Sequence, residues 1–163
     1  MEIEWQAVRE FPDYSVSNYG DVVNEITGRV LSQSTTAQGA YKVNFIRGRE
    51  RHCRSVKVLV AEAFVEGQDE IFDTPVHLDG NQYNNRSENL VWRPRWFAWK
   101  YSRQFFKLPT FVTVGPILEI ESQVQYMTVY DAGIINGLLF QDIWDCISLI
   151  KENTFPTGQR FWM

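Results

Sequence analysis

Long hydrophobic runs are missing from this 163-residue chain: no stretch approaches 18 consecutive apolar residues, which argues against a membrane-spanning helix. The opening Met-Glu-Ile-Glu-Trp lacks the basic and apolar regions of a secretory signal, so the expectation is a cytoplasmic protein with no membrane partner. Cysteine is scarce. Cys53 and Cys146 stand far apart, neither has a second Cys or His at metal-ligand spacing, and both read as reduced thiols. Internal repeats and low-complexity tracts are absent too, and 44% hydrophobic with 22% charged residues excludes disorder and fibrous architecture. What the chain has in quantity is aromatic: six Trp, seven Tyr and eleven Phe need a core or an interface to receive them.

A net charge of −4 argues against a generic nucleic-acid binder, because affinity for phosphate rests on Lys and Arg displacing counterions. Its distribution says more than its sum. Residues 1–39 carry two bases against six acids, residues 108–163 again two against six, and residues 40–107 twelve against eight. A mildly basic middle thus lies between two acidic ends.

Residues 3–60 read as β-rich, with alternation in Tyr41-Lys-Val-Asn-Phe-Ile and a charged hairpin turn at Arg47-Gly-Arg-Glu-Arg51. Val56, Leu59, Val60, Ala63 and Phe64 then fall on one face of a short helix. Thr74 to Trp92 is polar and turn-rich, and Pro94 suits the first turn of a helix along which Trp92, Trp96, Trp99 and Arg103 share a side. Such indoles can stack on bases, but a stripe at helical spacing is expected to face the core. Leu108-Pro109-Thr110 reads as a linker, Val112–Ile120 and Ser122–Met127 as strands, and Thr128 as the cap of a helix ending at Asn136-Gly137. A second helix over Leu139–Ile150 and a terminal edge strand at Gly158–Trp162 complete the reading.

Three blocks together resemble the HNH homing endonucleases of phages and introns. The first is Glu4-Trp5 with Tyr14-Ser-Val-Ser-Asn-Tyr-Gly-Asp-Val and Thr27-Gly-Arg-Val-Leu, similar to the small β-motif at the N-terminus of these nucleases. The second, Val56–Phe64 with Val76-His-Leu-Asp-Gly-Asn81 and Asn84-Asn-Arg-Ser-Glu-Asn-Leu-Val-Trp92, is similar to the family core. The third, Met127–Cys146 with Gly158–Trp162, resembles the helix-turn-helix repeat that often follows. The resemblance implies an α+β chain encoded by a phage or mobile element: an N-terminal β-motif over 1–52, a ββα-metal core over 53–107 and a helix-turn-helix-like module over 108–163.

The resemblance also implies a chemistry. A histidine at the end of the first ββα strand serves as general base on water, and one divalent ion, usually Mg²⁺, steadies the developing charge. The ion is held by an Asp or Asn just before that His and by an Asn or His on the helix. Carried over, His77 takes the general-base position, and Asp79, Asn81, Asn85 and Asn89 brace the loop, with Gly80, Asn84 and Trp92 also matching. The metal positions depart from the pattern: they fall on Val76 and Ala98, and between Leu90 and Leu118 there is no Asn, Asp, Glu or His, leaving Gln104 as the only amide. The expectation is therefore an inactive or severely impaired nuclease that needs no cofactor, His77 being vestigial.

Candidate phosphate contacts are Lys42, Arg47, Arg49, Arg51, Arg54 and Lys57, with His52, extended by Arg86, Arg93, Arg95, Lys100 and Arg103. In the C-terminal helix pair the place of a DNA-reading helix starts with Phe140, Gln141, Asp142 and Asp145, and acids there repel a duplex. Together with an abundance of apolar residues from Ile134 to Ile150, this favours a repurposed binding protein with a protein partner, host or phage, over double-stranded DNA. Two alternatives stand beside it: an active Mg²⁺-dependent nicking endonuclease with His77 as base, and a nuclease-dead DNA-binding regulator.

Overall fold

Alternating side chains in the first fifty residues build the frame of the first of two units. A computed structural model describes residues 2–37, 39–113 and 115–163, and the chain separates into a unit of residues 1–77 with 81–92 and a unit of residues 78–80 with 93–163. In the first, β1 (Trp5–Val8), β2 (Phe11–Ser17), β3 (Val22–Asn24) and β4 (Arg29–Val30) form an antiparallel sheet in chain order. A second sheet joins β5 (Ser34–Thr35), β6 (Tyr41–Arg47) and β7 (Glu50–Ser55). The period-two pattern of β6 sends Val43 and Phe45 inward, both fully buried. Phe11 stacks on Phe45 at 4.6 Å, and Tyr14 meets the same ring edge-on at 4.8 Å.

Helix α1 spans Val56–Phe64, the interval its apolar spacing predicts, and lays Val56, Leu59 and Val60 on that core. β8 (Thr74–His77) and β9 (Leu90–Arg93) pair as a two-stranded sheet, separated by a polar loop that holds one 3₁₀ turn at Ser87–Asn89. Leu90 and Trp92 complete the same core, and the Trp92 indole N–H donates to the Val65 carbonyl at 3.0 Å. Residues on both sides of positions 52 and 53 therefore share one core. α1 cannot bury its apolar face alone, and Val16, Val43 and Phe45 are what it packs on.

The second unit contains α2 (Arg95–Gln104), β10 (Ile117–Glu119), β11 (Gln125–Tyr126), α3 (Val129–Asn136), α4 (Phe140–Ile147) and β12 (Phe161–Trp162). Its sheet runs β11-β10-β12, antiparallel throughout, with the terminal strand at an edge. Thr128 caps α3 by accepting the Asp131 N–H at 3.1 Å, and Gly137 closes the helix. Phe105 packs on the same cluster as Ile117, Leu138 and Phe140. The first of the expected strands shrinks to Ile117–Glu119; its Val114 lies outside the described residues. The last helix ends three residues early, since Leu149 takes a φ of 59° and the Ile150 and Lys151 amides turn back to the Asp145 carbonyl. Among the described residues, no helix is long and apolar enough to cross a membrane.

Candidate active site and nucleic-acid surfaces

His77 ends β8 as a buried side chain, and its Nε2 lies 2.9 Å from the Asn85 amide oxygen. An amide oxygen only accepts, so in this pair the Nε2–H of His77 donates. Asn85 is itself held in place by the N-terminal motif. Gly20, at φ 96°, passes so near that a Cβ there would lie 3.2 Å from the Asn85 Cβ, and the Ser87 N–H donates to the Asn18 carbonyl at 2.9 Å. Asn18 in turn grips the chain start, accepting the Glu4 N–H and donating to the Glu2 carbonyl. The composition reading passed over Asn18; its signal was the turn-prone Ser-Val-Ser-Asn-Tyr-Gly in which it stands.

The other loop residues divide by role. Asn81 makes an Asx turn by accepting the Tyr83 N–H at 3.1 Å, and the Asn89 amide donates to the Asn84 carbonyl at 2.8 Å. Asp79 belongs with Leu78 and Gly80 to the second unit, where it is exposed. There the Tyr101 hydroxyl donates to the Leu78 carbonyl at 2.7 Å. Burial, and to a smaller degree the Asp79 charge, pushes the Tyr101 phenol far above its ordinary value, while Arg93 opposes this. Gly80, at φ 72°, leaves no room for a side chain: a Cβ would sit 2.4 Å from the Phe105 ring.

The two positions where the resemblance places metal ligands carry no oxygen. Val76 is buried as an apolar side chain in the first unit, and Ala98 lies on the buried face of α2 in the second. A hard divalent ion needs carboxylate, carbonyl or amide oxygens, so these side chains do not fit the family's Mg²⁺. Gln104 does not substitute, because its amide oxygen accepts the Phe140 N–H at 3.0 Å and so caps α4. Among the described residues no three His, Cys, Asp or Glu side chains gather as a metal site.

The candidate phosphate contacts do not form one face. The pairs Lys42 with Ser55, Asn44 with Cys53 and Ile46 with Arg51 project from the outer side of the β6–β7 hairpin, and Val43 with Arg54, Phe45 with His52 and Arg47 with Glu50 from the other. Arg47 and Arg54 therefore lie over the Phe11 ring at 4.7 and 5.4 Å. Arg54 also ion-pairs with Glu10 at 2.5 Å, holding that carboxyl below its ordinary range, and Arg47 donates to the Glu10 carbonyl. Lys57 is half-buried, which depresses its ammonium pKa. Arg86 covers the Tyr19 ring at 4.7 Å and reaches Glu88 at 3.7 Å. Arg95 is exposed on α2, and Arg49 at the hairpin tip.

Arg93 is the clear departure from a phosphate contact. It is buried, and donates from Nε to the Gly137 carbonyl at 3.0 Å and from its terminal nitrogen to the Asn136 carbonyl at 2.5 Å. Its charge thus sits at the C-terminus of α3, where the helix dipole favours a cation. The outer hairpin face retains Lys42 and Arg51 and borders a groove of about 480 Å³ lined by Asn24, Thr27, Arg29, Asn44 and Ile46. Arg29, absent from the sequence candidates, is exposed there.

In α4 the acids face inward rather than toward a ligand. Asp142 is buried and meets the Lys151 ammonium at 2.5 Å, and Asp145 meets it at 3.1 Å. The apolar surplus of this region is largely consumed by the unit's own core: Leu138, Phe140 and Ile143 are buried, and Trp144 stacks on Phe111 at 5.2 Å. The Trp stripe of α2 is overturned in the opposite sense. Trp92 is in the core, but Trp96 and Trp99 are 51% and 61% exposed because Phe97, Ala98 and Tyr101 supply the helix's inner face.

A small N-terminal β-motif, a histidine closing the first strand of a ββ pair, a helix after the second strand and a helical C-terminal module follow one another in the order that the resemblance to homing endonucleases implies. Residues 4–47 match the NUMOD4 motif. An uncharacterized HNH endonuclease of Acanthamoeba polyphaga mimivirus is 32% identical over 92 residues, covering 56% of this chain and 27% of that protein. DNA endonuclease I-HmuI of Bacillus phage SP01 is 33% identical over 93 residues, covering 55% of this chain and 52% of that protein. The chain thus matches only about a quarter to a half of the length of these relatives. A solved structure describing DNA binding and cleavage by I-HmuI shares the fold, with a TM-score of 0.57 at 24% identity over 98% of this chain and 97% of that one. Over these matched segments and in its fold the chain is similar to HNH homing endonucleases.

Proposed function

We propose that this protein binds double-stranded DNA on the HNH scaffold and does not cut it by the family's metal-assisted route. The observation that carries the second half is the pair Val76 and Ala98, a buried isopropyl and a methyl where hard oxygen ligands are needed. A metal ion supplies several kcal/mol of transition-state stabilisation, and His77 alone, its Nε2 proton committed to Asn85, does not replace that. The first half is supported by a relative whose name is DNA endonuclease and by the outer face and tip of the hairpin, where Lys42 and Arg51, and Arg49 at the tip, stand clear of the ion pair that occupies Arg54. A protein partner is not carried into this proposal, because the apolar residues of α3 and α4 that suggested one are mostly spent in the core.

The test incubates the protein with supercoiled plasmid and phage DNA in Mg²⁺ or Mn²⁺, beside His77→Ala. The expected result is a mobility shift that weakens steeply with salt and no nicked product. The names of the relatives favour a second reading, an active nicking endonuclease with His77 as base. Nicking that disappears in His77→Ala would establish that reading and refute the first.

A further inference from the structure

We propose that the outward face of α2 is a stacking platform for unpaired bases, and that single-stranded DNA is its ligand. The inference rests on the DNA-binding reading above and names a second surface for it. Trp96, Trp99, Lys100 and Arg103 recur at spacings of three and four and therefore share one side of the helix, opposite the buried Phe97, Ala98 and Tyr101. Half or more of each indole is in water. The Lys100 ammonium lies 5.5 Å from the centre of the Trp96 ring and the Arg103 guanidinium 4.6 Å from that of Trp99. Phe155 supports Trp96 from the side at 5.0 Å.

Exposed rings alone would not choose an occupant; the charge around them does. Lys100, Arg103 and Lys107 lie within eight residues, and no Asp or Glu occurs between Leu90 and Leu118. Elsewhere in the second unit Lys151 and Arg160 are paired with Asp142, Asp145 and Glu121. Aromatic faces interleaved with cations, on a segment whose sequence holds no Asp or Glu, match a strand that offers bases and phosphates together. A duplex keeps its bases stacked inside and offers the indoles only its backbone and groove edges. An unpaired strand offers ring faces.

The experiment titrates the full chain with a fluorescein-labelled oligothymidylate of about twenty nucleotides, reading anisotropy and indole quenching, with a duplex of equal length as the second ligand. Wild type is expected to bind the single strand with quenching, W96A/W99A to lose at least tenfold in affinity and most of the quench. K100Q/R103Q is expected to lower the salt slope of single-strand binding by about 1.4, the share of two phosphate contacts. All four side chains are exposed, so melting curves of these variants should match wild type; if one of them melts early, the other carries the test. Single-strand affinity unchanged in W96A/W99A overturns the platform. So does a sedimenting dimer that W96A/W99A dissolves, which would assign the face to a second copy of the chain. Duplex binding that persists while the single strand fails overturns the platform alone, and failure of both ligands takes the DNA reading with it.

Discussion

Arg93→Met separates a phosphate contact from a structural cation. Methionine keeps the unbranched apolar stem but has no donor, so the Asn136 and Gly137 carbonyls at the end of α3 lose the guanidinium they accept from, at 2.5 and 3.0 Å. Two charge-assisted bonds are together worth about 3–6 kcal/mol. Against this stands relief from burying the guanidinium, whose desolvation depresses its own pKa and which costs a few kcal/mol. The net loss expected is about 2–3 kcal/mol, or ~5–10 °C in Tm for a chain of this size. The assay pairs a melting curve with DNA affinity measured well below Tm, beside Arg51→Ser. Arg93→Met should melt early and keep its affinity, whereas Arg51→Ser should keep its Tm and lose about 0.9 from the salt slope. An Arg93→Met protein that melts like wild type and binds DNA tenfold more weakly would refute the reasoning and return Arg93 to the phosphate contacts.

Gly80→Ala should lower stability by about 2 kcal/mol in urea, from the left-handed backbone and the Phe105 contact together, and an unchanged midpoint would show that the Phe105 ring yields freely. Lys151→Met should cost about 1–2 kcal/mol at pH 7 by leaving Asp142 buried without its cation, a figure kept low because Lys151 is 44% exposed. Hydrogen bonding to Asp142 raises the Lys151 pKa above 10.5, so its stabilisation is whole below that pH and fades as pH climbs through the raised value; the gap between the two proteins should close there. Lys57→Met should hold or raise Tm by a few degrees, because a half-buried ammonium with a depressed pKa is replaced by an apolar chain of similar length. A fall in DNA affinity in that variant would show instead that the ammonium reaches phosphate.

Local periodicity told most where one face had one possible environment. α1 runs from Val56 to Phe64 as its spacing requires, because its apolar side chains fall in a single stripe. In α2 both faces carry aromatics, and spacing groups Trp96 with Trp99 without telling which side meets water; Phe97 and Tyr101 settle that only once they are packed. Hairpin pleating separates Arg51 from Arg54, three residues apart in sequence and on opposite faces in space. The role of Arg93 was illegible for a plainer reason, since the carbonyls it holds lie 43 and 44 residues away. The candidate site was readable in its chemistry: His77, Val76 and Ala98 are where the motif spacing places them on the chain. It was unreadable in its supports, because the Asn18 carbonyl that receives Ser87 is a main-chain group that no motif marks.

That last attachment bears on how such a chain can be inherited. The NUMOD4 segment, residues 4–47, and the histidine loop, residues 78–89, stand on the chain like two separate beads. Here the tight passage of Gly20 beside Asn85, and the bond from Ser87 to Asn18, tie residues of one bead to the residue that fixes the His77 ring. A crossover between residues 47 and 74 that brought in a foreign N-terminal motif would keep His77 in the sequence and still lose its orientation, unless the newcomer carried an equally narrow turn. Lineages of this family should therefore exchange the two segments together, or pair them only with partners whose turn admits an asparagine at that distance.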